Sequence, residues 1–246
     1  MKQDEKVYGV HPVLELLRSD QTLCRKIFLL GGRQENPLIE EIRQRATARN
    51  IPIVLVERHR LDEWAGSIKH QGVLCLFVPS APLSLASLLD KMADRPPFLL
   101  VLDGVEDPMN LGAIVRTADA VGVDGLIIPR RRAAGLTSVV MKASAGALAH
   151  VAVAQVTNIS QALDLLKKEG IWTVGLDRAA SMSYLASDFR LPIAMVVGGE
   201  AGLHQKVRER CDWVVSLPMR GQVDSLNVSV AVGVVAYEVL RQRGLF

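Results

Sequence analysis

The sequence predicts an α/β protein whose main sheet is mostly parallel and covered by helices on both faces. Strands such as "FLLVLDGV", "GLIIP" and "LPIAMVVGG" are continuous runs rich in Val, Ile and Leu, without the alternation of a half-exposed strand. Helical patterns separate them, as in a parallel sheet whose two faces are both buried. The 246 residues suffice for one large domain or two modest ones.

The front of the chain predicts a smaller α/β unit that ends near Pro79. "CRKIFLLGG", "IPIVLVE" and "GVLCLFV" predict strands, and "NPLIEEIRQRATARN" predicts an amphipathic helix with Asn36 as its cap. Prolines bracket the stretch that follows, which makes it the best linker candidate. We therefore predict a front domain over residues 1–79, a linker over 80–97 and a second domain over 98–246.

The segment "VDSLNVSVAVGVVAYEVLRQ", residues 223–242, is ambiguous. Its valines alternate at 228, 230, 232 and 234 as in a strand, yet the same segment also presents an apolar helical face. Its length and its polar entrance favour a helix. Ser229 and Gly233, four residues apart, would give that helix a flat strip of small residues for close packing.

Composition excludes several classes of protein. Hydrophobic residues make up 49% and charged residues 22%, which favours a packed core over disorder. The longest apolar runs are far shorter than the ~20 residues that span a bilayer, and the start has no apolar signal-peptide core. Cys24, Cys75 and Cys211 are isolated and have no metal-ligand spacing. We expect a cytoplasmic protein with reduced thiols, no metal and no membrane contact.

Charge gives a weaker indication of partners. The formal net charge is +3, but no acidic residue lies between Asp124 and Asp164, where a basic stretch contains Arg130, Arg131, Arg132 and Lys142. Such a stretch either neutralises phosphates of a nucleic acid or forms a solvated loop. Charge alone leaves both interpretations open.

Ligands of open parallel sheets bind beyond the carboxyl ends of strands, and three polar or glycine-rich loops follow strands here. In "DGVEDPMNLGAIVRTADAVG" we expect Asn110 to cap the helix, while Arg116 either pairs with Asp119 or Asp103 or faces a phosphate. In "VVGGEAGL" two glycines and Glu200 form either a ligand-binding loop or a plain tight turn.

The third loop is "SLPMRGQVDSLN". Ser225 and Asn227 either orient a ligand or cap the helix that follows. None of the three loops supplies a Ser-His-Asp set or a Cys-His pair. The expected chemistry is therefore binding and positioning rather than covalent catalysis.

Together, "NLGAIVRTADAVGVDGLIIP", "VVGGEAGL" and "LPMRGQVDSLNVSVAVGVVAYE" resemble the three ordered motifs of the SpoU/TrmH family of RNA ribose 2'-O-methyltransferases. "VYGVHPVLELL" and "HQGV" are similar to the amino-terminal RNA-binding domain of members that methylate guanosine in bacterial 23S ribosomal RNA, so the resemblance covers nearly the whole chain. It implies a small α/β/α RNA-binding domain, then an α/β domain with a trefoil knot. It also implies S-adenosyl-L-methionine as cofactor, 23S ribosomal RNA as substrate and a homodimer with active sites near the subunit interface.

Carried over by motif, the resemblance assigns Asn110, Arg116, Glu200, Ser225 and Asn227 to the catalytic side of the site. Arg116 is implied either as the group that takes the proton of the ribose hydroxyl or as a clamp on a substrate phosphate. We expect the RNA to contact the front domain and the three arginines of the basic stretch.

The resemblance also assigns Gly198, Leu217 and Leu226 to cofactor binding. The loop "GGEAGL" is one residue shorter than the family's usual second motif and has Ala201 after the glutamate, so the role of Gly202 is open. Two other functions stay open: a methylase that acts on transfer RNA, and a non-catalytic RNA-binding or ribosome-assembly factor.

Overall fold

The computed structural model describes residues 4–20, 22–32, 36–92 and 95–245. The chain forms two compact units: a first unit of Met1–Ala81 with Gly135–His150, and a second unit of Pro82–Ala134 with Val151–Phe246. Its elements, in chain order, are β1 (Glu5–Tyr8), α1 (Val10–Arg18), β2 (Leu23–Leu30), α2 (Pro37–Ala48), β3 (Ile53–Val56), α3 (Arg58–Ala65), β4 (Val73–Val78), α4 (Leu85–Leu89), β5 (Phe98–Asp103), α5 (Pro108–Ala120), β6 (Gly125–Pro129), α6 (Ser138–Ala143), β7 (Val153–Val156), α7 (Ile159–Lys168), β8 (Trp172–Leu176), β9 (Met182–Ser183), β10 (Ile193–Gly198), α8 (Gln205–Arg208), β11 (Trp213–Ser216) and α9 (Val228–Gln242).

The first unit contains a four-stranded sheet of order β1-β4-β2-β3. Strand β4 is antiparallel to β1 and β2, whereas β2 and β3 are parallel. The Asn36 side chain accepts a hydrogen bond from Leu38 N, which confirms the predicted cap of α2. Leucines and isoleucines of β2, α1 and α2 fill the core of this unit; they include Leu16, Leu17, Ile27, Leu29 and Ile42.

The "HQGV" stretch is a structural joint of the first unit. His70 is 1% exposed; its Nδ1 accepts a hydrogen bond from Gly72 N at 2.9 Å, and its Nε2 lies 2.9 Å from the Asp62 carboxylate. Beside it, the Gln71 Oε1 atom accepts a hydrogen bond from Val10 N at the start of α1. The stretch therefore fixes where α1 begins relative to β4.

Residues 135–150 belong to the first unit although they follow β6 in the chain. Met141 and Ala149 are buried in the first unit's core, and His150 Nε2 lies 2.8 Å from the Glu15 carboxylate. Gly146 has φ +98, and a Cβ there would lie 2.6 Å from Cβ of Glu15, so only glycine fits. The predicted division into 1–79, 80–97 and 98–246 does not contain this return of the chain.

The second unit contains a seven-stranded sheet of order β7-β6-β5-β10-β8-β11-β9 in which every pair is parallel. The central strands β5 and β10 are buried along their whole length, as their unbroken apolar sequences predict. The front of the unit begins inside the predicted linker, because Leu83 bridges to Ala154 and both Leu85 and Leu88 are buried in its core.

The structure identifies the amino-terminal caps of helices α5 and α9 in the second unit. Helix α5 starts one turn earlier than predicted: Asp107 is its cap and accepts hydrogen bonds from Met109 N at 3.2 Å and Asn110 N at 3.0 Å. The prediction that Asn110 caps α5 is therefore wrong, and its side chain is left for other contacts. Residues 228–242 form a helix, and Asn227 caps it by accepting a hydrogen bond from Ser229 N.

Within the described residues, no helix is long and apolar enough to cross a membrane.

Candidate active site

A cavity of about 350 Å³ lies at the carboxyl ends of strands β8, β10 and β11. This is the edge where an open parallel sheet binds its ligands. Three loops and the start of α9 form the walls: Leu176, Asp177 and Arg178; Gly199, Glu200, Ala201, Gly202 and Leu203; Leu217, Met219, Asp224, Ser225 and Leu226; and Ala231.

The glycines of the loop after β10 are required by close backbone packing. A Cβ on Gly198 would lie 2.0 Å from the carbonyl carbon of Gly202, and one on Gly199 would lie 2.1 Å from the carbonyl oxygen of Gly104. Gly202 has φ +79 and donates its N–H to the Gly199 carbonyl at 3.0 Å, which closes a tight turn. The shortened "GGEAGL" loop is therefore a turn that leaves Glu200 beside the cavity.

The polar entrance of α9 connects two of the predicted motifs. Asn227 Nδ2 donates to Asn110 Oδ1 at 2.9 Å, while Asn227 Oδ1 accepts from Ser229 N and Ser229 Oγ at 2.8 and 2.6 Å. One side chain thus caps α9 and orients the amide of Asn110 on α5. On the cavity side of the same segment, Asp224 and Arg178 form an ion pair at 2.8 Å.

The structure brings some of the predicted site residues together and separates others. Glu200, Leu217, Ser225 and Leu226 line the cavity, and Gly198 lies directly behind its glycine turn. Asn110 and Asn227 contact each other but do not line it. Their roles, and those of the cavity residues, stay predictions.

Arg116 is exposed on α5, apart from these contacts. Among the described residues it has neither of the two expected ion pairs, since Asp103 instead accepts from His204 N at 2.9 Å. Within the described residues, Arg116 therefore forms no ion pair with Asp119 or Asp103, and its guanidinium is available to a ligand.

The predicted basic stretch is divided between the two units. Arg131 and Arg132 line a second, smaller cavity of about 210 Å³ in the second unit, and Arg130 is exposed next to them in the sequence. Lys142 belongs to the first unit, where its ammonium group lies 3.8 Å from the centre of the Tyr8 ring. The hydrogen bond from Lys142 lowers the pKa of the Tyr8 hydroxyl. Lys142 therefore belongs to a different unit from the three arginines.

Sequence reasoning missed two side-chain pairs at the cavities of the second unit. One is Arg178 with Asp224, and the other is Asp103 with His204, whose Nδ1 lies 3.0 Å from the carboxylate. The position of Arg178, two residues after the end of β8, is a signal that could have identified it, because strand ends bind ligands in such sheets. The pairing of His204 depends on a tertiary contact and leaves no pattern in the sequence.

The remaining reactive groups do not form a site. Cys24 and Cys75 are buried and Cys211 is half-buried, all as free thiols, and burial raises the pKa of Cys211 to about 12. Among residues 4–20, 22–32, 36–92 and 95–245, no cluster of His, Cys, Asp and Glu side chains could hold a metal ion. The arrangement favours binding and orientation of a ligand.

Curated relatives match this chain over almost its whole length. It is 42% identical to the 23S rRNA (guanosine-2'-O-)-methyltransferase RlmB of Pseudomonas putida, over 99% of this chain and 98% of that protein. It is also 42% identical to the putative TrmH family tRNA/rRNA methyltransferase YacO of Bacillus subtilis, over 98% and 97%.

Solved structures share its fold. The SpoU methyltransferase AviRb from Streptomyces viridochromogenes matches with a TM-score of 0.82 and 25% identity, covering 98% of this chain and 90% of that one. AviRb in complex with the cofactor AdoMet matches with a TM-score of 0.82 and 24% identity, over 99% and 92%. The expected α/β fold is confirmed by these neighbours.

Family models cover both parts of the sequence. The model for RNA 2'-O ribose methyltransferase substrate binding matches residues 6–83. The model for the SpoU rRNA Methylase family matches residues 97–237, which is more than half of the chain. With the near full-length relatives, this match shows that the chain belongs to the SpoU rRNA methylase family.

Proposed function

We propose that this protein transfers a methyl group from S-adenosylmethionine to a ribose 2'-hydroxyl of RNA, and that its substrate is a guanosine of 23S ribosomal RNA. The observation that carries the proposal is the cavity at the strand ends, where residues of the second and third family motifs, Glu200, Ser225 and Leu226, meet. The near full-length similarity to RlmB supports this choice of RNA. Work on ribosomal RNA would place the protein in the cytoplasm.

The cavity fits the proposed cofactor in size and chemistry. Its volume of about 350 Å³ lies within the roughly 300–1,000 Å³ of small-molecule sites. Leu176, Leu217 and Leu226 offer apolar surface to an adenine ring, and the turn from Gly199 to Gly202 exposes backbone groups that can read its edge. When bound, S-adenosylmethionine would supply an electrophilic methyl group on its sulfonium.

The protein's contribution would be mainly positioning. Attack by a 2'-hydroxyl requires its oxygen in line with the bond that breaks, and holding two reactants in that geometry can supply most of the rate enhancement. Ser225 and the Asn110–Asn227 pair would orient the hydroxyl, and Glu200 would hold these side chains in place. Guanidinium groups stay protonated in proteins, so we assign Arg116 to clamping a phosphate and stabilising the forming alkoxide.

We propose that the RNA contacts the front domain together with Arg130, Arg131 and Arg132. The substrate-binding family match over residues 6–83 supports the first contact, and the exposure of the three arginines supports the second. Phosphate contacts would supply affinity, and the folded shape of the RNA would supply specificity.

We also propose a homodimer and a trefoil knot, both of which the family resemblance implies. An exposed apolar strip on α9 supports the dimer: Val230, Val234 and Tyr237 are 50%, 40% and 48% exposed. A Cβ on Gly233 would meet nothing within 4 Å among the described residues. Packing within the described chain therefore does not require a residue as small as Gly233, and a glycine there would suit the close approach of a second copy.

The assignment of Arg116 is tested with the Arg116→Ala variant. We expect unchanged affinity for S-adenosylmethionine in calorimetry and loss of methyl transfer to 23S RNA, because the cavity does not contain Arg116. Asp119→Ala is the matched control, since it removes an exposed charge from the same helix. Normal turnover by Arg116→Ala would overturn the assignment.

Two alternatives remain. A transfer RNA substrate is favoured by the name of YacO, a putative tRNA/rRNA methyltransferase. A non-catalytic RNA-binding factor is opposed by the retained Asn110–Asn227 pair and by Glu200 at the cavity. Mapping the methylated nucleotide separates these functions.

A further inference from the structure

The second cavity has a composition suited to an anion. It has a volume of about 210 Å³ and is lined by Arg131 and Arg132 after β6, by Asn158 and Ser160 at the start of α7, and by His204. None of these residues lines the cavity proposed for the cofactor.

The two arginines of this cavity lack protein partners among the described residues. Their guanidinium groups have no hydrogen bond or ion pair among the described residues, and both side chains are exposed. Many other arginines of the second unit bind a carboxylate: Arg95 with Asp124, Arg178 with Asp224, Arg190 with Asp188, Arg208 with Asp177, Arg210 with Asp164 and Arg241 with Glu238. Arg132 is also held at φ 57, a conformation that residues other than glycine seldom adopt. Two uncompensated guanidinium groups at one cavity attract a phosphate.

His204 adds a third group whose orientation is fixed. The Asp103 side chain, only 8% exposed, accepts a hydrogen bond from His204 N at 2.9 Å and lies 3.0 Å from the ring Nδ1. Nε2 is then the ring nitrogen without a partner among the described residues, on a side chain that is 53% exposed, and in the imidazolium form it would donate to a phosphate oxygen. Asp103 would by itself repel an anion, but two N–H groups of His204 already face its carboxylate.

The start of α7 contributes little of its own. The Asn158 side chain already accepts a hydrogen bond from Gln161 N at 3.1 Å, so this helix terminus is capped. The case for an anion therefore depends on the side chains of Arg131, Arg132 and His204.

We propose that Arg131, Arg132 and His204 form a subsite for a backbone phosphate of the substrate RNA, separate from the cofactor cavity. This inference rests on the proposed function, because it takes RNA as the ligand. His204 directly follows Leu203, which lines the cofactor cavity, and consecutive Cα atoms are about 3.8 Å apart. A phosphate held here would fix the register of the RNA strand relative to the cofactor.

The test compares Arg131→Gln, Arg132→Gln and His204→Gln with Lys168→Gln, which removes an exposed charge at the other end of α7. Binding of 23S RNA fragments is measured without cofactor over a range of salt concentrations. Each arginine variant should bind RNA roughly tenfold more weakly, as expected for one lost charge-assisted contact. Each should also lower the salt slope by about one, and Lys168→Gln should do neither.

Turnover and cofactor binding supply the second readout. The arginine variants should raise KM for RNA, keep kcat at saturating RNA and keep the Kd for S-adenosylmethionine. The subsite would be overturned if the arginine variants bound RNA as tightly as Lys168→Gln does. It would also be overturned if they lost affinity for S-adenosylmethionine as much as for RNA. Tight binding of a nucleoside monophosphate that depends on Arg131, while RNA binding does not, would overturn it as well.

The subsite and the proposed function fail in different ways. Because RNA binding is measured without cofactor, a chain that binds RNA through Arg131 but never methylates it would contradict the proposed function alone. His204→Gln is checked first for an unchanged thermal unfolding transition, since its backbone contacts Asp103. If His204→Gln does not fold, the Arg131→Gln and Arg132→Gln variants test the subsite by themselves.

Discussion

The two ends of helix α9 differ in exposure and in what they bind. At its entrance, residues 224–227 are all exposed, and three of them line the proposed cofactor cavity. At its other end, Glu238 is buried and Gln242 and Arg243 hold neighbouring backbone. The comparison indicates that one helix has its site at one end and its anchorage at the other.

Arg243 shows how strong the anchorage is. Its guanidinium donates to the carbonyl oxygens of Pro96, Pro97, Phe189 and Leu191 at 2.7 to 3.1 Å. Partial burial lowers the pKa of this arginine, and the four carbonyl groups compensate its charge. Since the two ends are separated by some four helical turns, substitutions at each should act independently.

The largest effect on stability should come from Arg243→Ala. Four carbonyl groups, two of them on exposed residues, would lose a charged donor, so we expect the free energy of unfolding to fall by about 2 kcal/mol. Arg190→Ala is the matched control, because its ion pair with Asp188 is exposed on both sides and such pairs contribute little to stability. Urea unfolding measures both. Equal losses for the two variants would contradict the proposed anchorage.

Asn227 should separate capping from function at the entrance. Asn227→Ala removes the cap of α9, so it should lower the free energy of unfolding by about 1 kcal/mol. It should also abolish methyl transfer. Asn227→Asp keeps an oxygen for Ser229 N but loses the Nδ2 donor to Asn110. It should therefore keep stability and still lose activity. An active Asn227→Asp variant would show that the contact with Asn110 is not needed.

Gly233 tests the middle of the helix. A leucine there meets no atom of the described chain near its Cβ, but it would protrude into a subunit interface on this face. Gly233→Leu should therefore give a folded monomer, with Lys168→Leu as a control that keeps the dimer. Sedimentation velocity measures the change. A dimer that persists in Gly233→Leu would place the interface elsewhere.

The smallest effect should be a change in acid stability at the anchored end. The Arg241 guanidinium, helped by the Gln242 amide, holds the pKa of Glu238 at about 2, below its usual 4.5. Because this pKa is lowered on folding, ionised Glu238 stabilises the protein above about pH 4.5, and the contribution is lost as pH falls towards 2. Glu238→Gln should flatten the dependence of unfolding free energy on pH in that window, whereas exposed Glu169→Gln should not. An unchanged slope would show that the pair does not contribute.

Local signals in the sequence predicted much of the fold. The predicted cap Asn36 is confirmed, and Pro37 follows it at the first helical position. The same arrangement, Asp107 before Pro108, marks the start of α5, three residues before the predicted cap Asn110. The alternating valines of α9 have no strand role: Val232 is buried, whereas Val230 and Val234 lie on the exposed face.

Contacts between distant parts of the chain could not be predicted in this way. The motifs gave Glu200, Ser225 and Asn227 as site residues, but not the cavity wall formed by Arg178 and Asp224. The return of residues 135–150 to the first unit depends on packing that no local period encodes. No local pattern predicts a role for His204, because its partner Asp103 lies about 100 positions away in the sequence.

The most direct test of the proposed function is to incubate the purified protein with labelled S-adenosylmethionine and either undermethylated 23S RNA or transfer RNA, then map the modified nucleotide. We predict one 2'-O-methylated guanosine in 23S RNA, which is lost in Arg116→Ala. Methylation of transfer RNA alone, or no transfer to either RNA by a protein that binds both RNA and cofactor, would contradict the account.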